Sequence, residues 1–219
     1  LRSGKIRRGA LVHPNQSAFQ HLFNSGQDDA LVTLCGLDYA AFQELHILFK
    51  PLYEKYSPYG SDGFIRRLKK RSRRPRLLTS QQCLALYLAW SRTTGSMKVL
   101  QLIFGLTASH LSTWLRFARR LVVKSLKDDP RSRVAMPTDD ELQEFIAAIE
   151  AKYPSLKDCW GAMDGLKLRL QQAGDNRIQR IFYNSWTHDH YVTNLFLFSP
   201  DGKIRRCFIN APGCLHDST

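Results

Sequence analysis

The hydrophobic period of this chain changes once, and that change limits what it can fold into. From Asp38 to about Lys152, apolar residues recur every three to four positions, the period of an amphipathic helix. From Leu166 to Leu170 they alternate strictly, the period of a strand. A helical half followed by a stranded half predicts an α+β protein. With 219 residues, the chain has room for one large domain or two small ones.

Helix boundaries are written in capping residues. Asp38 reads as an N-cap, with Phe42, Leu45, Leu48 and Phe49 at helical spacing behind it as far as Pro51. Thr79-x-x-Gln82 is a capping box. It opens the run Cys83 to Trp90, which is apolar on nearly all sides and predicts a buried helix. Gly95 and Ser96 break that run. A short helix through Val99, Leu100 and Ile103 then ends at Phe104, with Gly105 as its C-cap. Thr107 or Ser109 caps a longer helix reaching about Leu126, with Leu111, Trp114, Leu115, Ala118, Leu121 and Val122 as its apolar stripe. Thr113, Arg116, Arg120 and Lys124 fall on the opposite face. Helix, glycine turn and a second helix with a basic outer face make a helix-turn-helix-like pattern, whose second helix would offer His110, Ser112 and Thr113 to base edges. Two packed helices with a solvated basic face fit the same pattern. A second capping box, Thr138-x-x-Glu141, opens a helix through Leu142, Phe145, Ile146 and Ile149, which Tyr153-Pro154 stops.

Charge is distributed unevenly. Residues 1–127 hold 21 basic and 6 acidic residues, whereas residues 128–219 hold 11 and 13. A basic half of that kind suits a polyanion, most often nucleic acid, although a solvated basic tail has the same composition. Eight cations occupy the eleven positions from Arg66 to Arg76: Arg66, Arg67, Lys69, Lys70, Arg71, Arg73, Arg74 and Arg76. The run reads as a phosphate-contacting strap, a nuclear localisation signal or a solvated linker. Residues 1–29, polar and basic with few apolar anchors, read as a flexible arm, residues 30–127 as a helical DNA-binding region, and residues 138–219 as a separate domain.

Five cysteines at irregular spacing, with no Cys-x-x-Cys, fit free thiols in a reducing compartment and exclude a standard cysteine zinc finger. No run approaches the ~18–20 apolar residues of a membrane helix. No secretory leader opens the chain, which begins at Leu1 rather than Met and so reads as a piece with trimmed ends.

In the stranded half, Cys159 to Asp164 is a short, mostly apolar run ending in a carboxylate. Asp164 shares parity with Leu166 and Leu168. A regular strand would aim it at their apolar side, where a lone carboxylate needs a cation, a metal or an irregularity at Gly165. An Asp-Gly turn is the alternative. Tyr191 to Phe198 and Lys203 to Ile209 form a hairpin around Ser199-Pro200-Asp201-Gly202. His188 and His190 would share a face of a strand, but they lack the partners of a closed zinc site.

Taken together, Gly161-Ala162-Met163-Asp164-Gly165, then Tyr183-Asn184 and the hairpin, then Pro212-Gly213-Cys214-Leu215-His216-Asp217-Ser218 resemble the PIF/Harbinger type of DDE-superfamily transposases and their domesticated nuclease-like relatives. The resemblance spans about residues 38–219, and the Pro-Gly-x-x-His-Asp-Ser string is its strongest element. It implies that residues 138–219 are the first part of a truncated RNase H-like catalytic domain. It also implies a reaction that cleaves and transfers DNA strands with a divalent cation, Mg²⁺ or Mn²⁺. Asp164 and Asp217 match the first two catalytic, metal-binding aspartates, and His216 would orient the Asp217 loop. Arg66, Arg67, Lys69, Lys70, Arg71, Thr113, Arg116, Arg120 and Lys124 would hold DNA. The resemblance further implies a nuclear protein with a separate DNA-binding partner protein.

Two departures stand out. The third acid, expected on a helix further downstream, has no counterpart before Thr219, which predicts an incomplete site with weak or absent metal. Ser185-Trp186-Thr187-His188 stands where the family has a Lys-containing basic stretch. A non-catalytic DNA-binding or protein-interaction remnant of a transposase is therefore the alternative to a nuclease.

Overall fold

The computed structural model describes residues 4–59, 66–67, 75–93, 96–127 and 129–214. The chain divides into two compact units, Leu1–Ser132 and Arg133–Thr219. The first is helical and the second is built on an antiparallel sheet, so the protein is α+β.

The first unit contains α1 (Ala18–Ser25), α2 (Asp28–Cys35), α3 (Tyr39–Lys55), α4 (Ser80–Arg92), α5 (Met97–Phe104) and α6 (Ala108–Leu126). The caps expected at Asp38 and Thr79 form. The Asp38 carboxylate accepts the Ala41 N–H at 2.7 Å, and Thr79 and Gln82 close their capping box reciprocally. Around α4, whose Cys83, Leu84, Ala85, Leu86 and Ala89 are all buried, the other helices gather one hydrophobic core. Tyr87 and Leu88 of the same run are half-buried, and Trp90 is 40% exposed.

Two expectations change here. The segment read as a flexible arm folds: Ser17 caps α1, and Phe19 and Phe23, one helical turn apart, are buried. Phe19 stacks on Phe104 at 5.0 Å, and Phe23 meets Phe42 at 5.4 Å. Two phenyl rings at i and i+4 suffice to hold a two-turn helix, although the surrounding composition is polar. The helix read as ending at Pro51 runs on to Lys55. Pro51 cannot bond the carbonyl of Ile47, but Ile47 lies on the solvent side, where water satisfies that oxygen. Buried Phe49 and Tyr53 hold the helix on either side.

Gly105 ends α5 with φ +65, and an added Cβ would collide with the Val12 carbonyl oxygen. Only glycine meets both conditions. Within the cation run, Arg66 and Arg67 form β2, a two-residue antiparallel ladder with β1 (Tyr56–Ser57).

The second unit opens with α7 (Asp139–Lys152), held by the Thr138–Glu141 capping box. It continues through β3 (Ala162–Arg169), α8 (Asn176–Phe182), β4 (Tyr183–Asn184), β5 (Asp189–Phe198) and β6 (Ile204–Pro212). β5 is central, with β3 on one side and β4 and β6 on the other, all antiparallel. Arg205 ties the β5–β6 turn to α7. Its guanidinium donates to Ser199 Oγ at 2.8 Å and to Asp201 at 3.0 Å, reaches Glu141 at 3.4 Å, and lies 5.1 Å over the Phe145 ring. Among the described residues of this unit, Phe145 is the only buried large apolar side chain. Met163, Leu166, Leu168, Ile204, Phe208 and Ile209 are all exposed, and among the described residues β3 pairs on one edge only.

Candidate nucleic-acid interface and carboxylate strand

α6 buries Leu111, Trp114, Leu115, Phe117, Ala118, Leu121 and Val122, which fixes which side chains face outward. Arg116, Arg119 and Lys124 are exposed, while Thr113 and Arg120 are half-buried. Arg116, Arg120 and Lys124 follow one another at i, i+4 and i+8, a cation every turn or ~6 Å. The Arg116 Nε–H bonds the Ser112 carbonyl at 3.3 Å, and the Lys124 ammonium lies 5.8 Å from the Tyr56 ring. Among the described residues no carboxylate pairs with any of these four cations. Arg131 of the same unit behaves differently, bonding Glu44 at 2.8 Å and Asp129 at 2.9 Å.

The N-terminus of α6 faces a cavity of about 270 Å³ bordered by Arg8, His13, Thr107 and His110. The Thr107 side chain makes no capping bond and instead lies 3.3 Å from the Ser109 hydroxyl. The first turn therefore keeps backbone N–H groups for another acceptor. His110 and Ser112, expected near base edges, are both exposed.

The cation run separates into different roles. Arg66 and Arg67 are held by their backbone ladder, and Lys69, Lys70 and Arg71 lie outside the described residues. Arg76 is a helix cap. Its guanidinium donates to the carbonyls of Tyr53, Glu54 (3.3 Å) and Tyr56 (2.9 Å) at the end of α3, and it stacks 4.1 Å over the Tyr53 ring. These are orphan carbonyls at the negative end of the helix dipole. Sequence reading grouped Arg76 with the strap, and nothing in local spacing reveals that α3 ends beside it.

Asp164 lies on β3 opposite Phe196 of β5, which in turn pairs with Cys207 of β6. It shares its face with Leu166 and Leu168, as parity requires, but that face is exposed. The carboxylate therefore stays in water, accepts the Gly165 N–H at 2.8 Å, and needs no compensating cation. His216 and Asp217 lie outside the described residues. Pro212, the last residue of β6, pairs with Val192, and Val192 with Leu168, four residues along β3 from Asp164. That offset is about 13 Å along the strand direction. Among the described residues no group of three His, Cys, Asp or Glu side chains gathers to hold a metal. A single carboxylate falls short of the several oxygens a hard divalent ion takes, so the described part of the site does not by itself fit one.

The two histidines do not share a face. His188 has φ +55, a left-handed residue just before β5 that breaks the alternation, so His188 is exposed and His190 buried. Neither ring nitrogen of His190 has a hydrogen-bond partner among the described residues. The ring packs 5.4 Å from Tyr183, and its Nδ1 is 4.0 Å from Asp189, which pairs with Arg169.

No helix among the described residues is long and apolar enough to cross a membrane. Compared with protein-family models, with curated proteins and with solved structures, the chain matches none.

Proposed function

We propose that this protein binds duplex DNA through its first unit, and that it is a transposase-derived protein of the PIF/Harbinger type whose second unit carries part of a divalent-metal nuclease or strand-transfer site. The observation that carries the DNA reading is the row Arg116, Arg120 and Lys124, a cation every helical turn with no carboxylate partner among the described residues. Unpaired cations at that spacing suit successive phosphates, whose contacts position a helix on the duplex without reading its sequence. The cavity at the start of α6, bordered by Arg8, adds a second point for phosphate. In this reading α5 and α6 act as a helix-turn-helix, and the protein works in the nucleus, with a partner protein supplying sequence recognition.

For the second unit, the support is the order of the motifs. Asp164 stands on the first strand, the β5–β6 hairpin follows, and Pro212-Gly213 leads out of β6 toward His216 and Asp217. A module that binds DNA without cutting it is the second reading, and the exposed, solitary Asp164 favours it.

Two measurements test these readings. Fluorescence anisotropy with a labelled duplex across a salt series should show affinity falling steeply with salt; a flat response removes the DNA reading. Mn²⁺-dependent nicking of supercoiled plasmid that disappears in Asp164→Ala supports the nuclease, whereas background nicking leaves the non-catalytic module.

A further inference from the structure

We infer that the cleft between the end of α4 and the outer face of α6 is a docking site for an acidic peptide bearing one bulky apolar anchor residue. The cleft encloses about 210 Å³ and is lined by Trp90, Met97, Ser112, Leu115, Arg116 and Arg119. This inference goes beyond DNA binding and does not depend on it.

The cleft has two chemistries. Its floor is Trp90, Met97 and Leu115. Trp90 and Met97 are 40% and 39% exposed, although an otherwise buried helix and a well-filled core lie beneath them. Burying either side chain further would remove apolar area from water, which favours binding. α4 and α5 leave both uncovered. Its rim is Arg116 and Arg119, which are exposed and have no carboxylate partner among the described residues. Tryptophan, arginine and methionine are the side chains enriched where proteins recognise proteins, and tryptophan and arginine lead among energetic hot spots.

A phosphate backbone would use the two guanidinium groups and leave the indole and thioether unused. A neutral apolar peptide would fill the floor and leave two cations facing its backbone. A segment with carboxylates on either side of a Leu, Phe or Trp satisfies both parts. The anchor enters the cleft, and each carboxylate takes a forked guanidinium hydrogen-bond pair. Met97, unbranched and polarisable, lets the floor adapt to different anchors.

The test is selection of a displayed library of random peptides, each about 12 residues long, on the complete chain. Counter-selection uses Trp90→Ser and, separately, Arg119→Glu. Arg119→Glu changes only an exposed charge, so it remains informative if Trp90→Ser folds poorly. The expected result is enrichment of peptides with Asp or Glu flanking a single large apolar residue. Each variant should bind a synthesised winner about tenfold or more weakly. No enrichment, a basic or uncharged consensus, or full binding to Arg119→Glu would overturn the inference. Competition with duplex DNA separates the alternatives. If DNA displaces the peptide and Trp90→Ser weakens DNA binding to the same extent, the cleft belongs to the DNA surface. Peptide binding that persists while DNA binding fails would leave the docking site standing and remove the function proposed above.

Discussion

Replacing Arg116, Arg120 and Lys124 with alanine together removes three cations from successive turns of α6. If each meets one phosphate, log K against log salt should become shallower by about 0.9 for each contact, or about 2.7 in all. Between about 50 and 200 mM salt, a fourfold range, that difference amounts to roughly 40-fold. The wild-type chain should lose about that factor more than the triple variant over the same range. The fold should tolerate the change. Two of the three side chains are exposed, Arg120 is half-buried, and alanine is the best helix former. The contacts given up are one Nε–H bond to Ser112 and an exposed ammonium beside the Tyr56 ring. Surface changes of this kind cost within about 0.5 kcal/mol each. Anisotropy titrations at four or more salt concentrations, paired with urea unfolding, measure both quantities. An unchanged salt slope would refute the assignment of phosphate contacts to this face. Equal losses of affinity and stability would show that these cations hold the helix rather than DNA.

Other perturbations probe separate parts of the molecule. Arg76→Ala should destabilise the first unit by about 2–4 kcal/mol in urea unfolding, since it uncovers three carbonyls at the end of α3. Arg76→Lys should recover little of that, because an ammonium cannot reproduce the fork or the stack on Tyr53. The Asp201 carboxyl is held down at about 2, chiefly by the Ser199 hydroxyl. Its folded value lies below its unfolded one, so its stabilising contribution is present above about pH 4 and lost as pH falls toward 2. Acid unfolding of the second unit should show that loss, and Asp201→Asn should flatten it. A native-state thiol titration should count three fast-reacting groups, Cys159, Cys207 and Cys214. Cys35 and Cys83 are buried; burial raises both thiols, Cys35 to about 12, and both should react only on unfolding. Five fast thiols would mean that α4 is not packed as described.

What the sequence disclosed was local. Capping residues such as Asp38, Thr79 and Thr138 act within four positions, so the starts of their helices are legible in the sequence. The Ser199–Gly202 turn and the alternation on either side set the β5–β6 hairpin in the same way. What stayed hidden depends on distant partners. The burial of Phe19 depends on Phe104, and Arg76 caps a helix that ends about twenty residues before it. The exposure of Asp164 followed from parity only after the face it shares with Leu166 and Leu168 was found uncovered. Strand alternation alone puts His188 and His190 on one face, and the left-handed backbone at His188 breaks that alternation.

The bare sheet of the second unit gives the protein two opposed responses to its surroundings. The first unit carries a net charge of +14 and the second −1, so at low salt copies should repel one another and stay dispersed, even though among the described residues β3 presents an open edge and apolar faces. Salt shortens that repulsion to about 8 Å at 0.15 M and leaves apolar adhesion intact. If the proposed DNA binding holds, a polyanion would neutralise it outright and draw several copies onto one duplex. Loading the protein on a long duplex should therefore nucleate clusters joined through their sheets. Turbidity that rises with the length of the DNA, rather than with protein concentration alone, would be the mark of this colloidal switch.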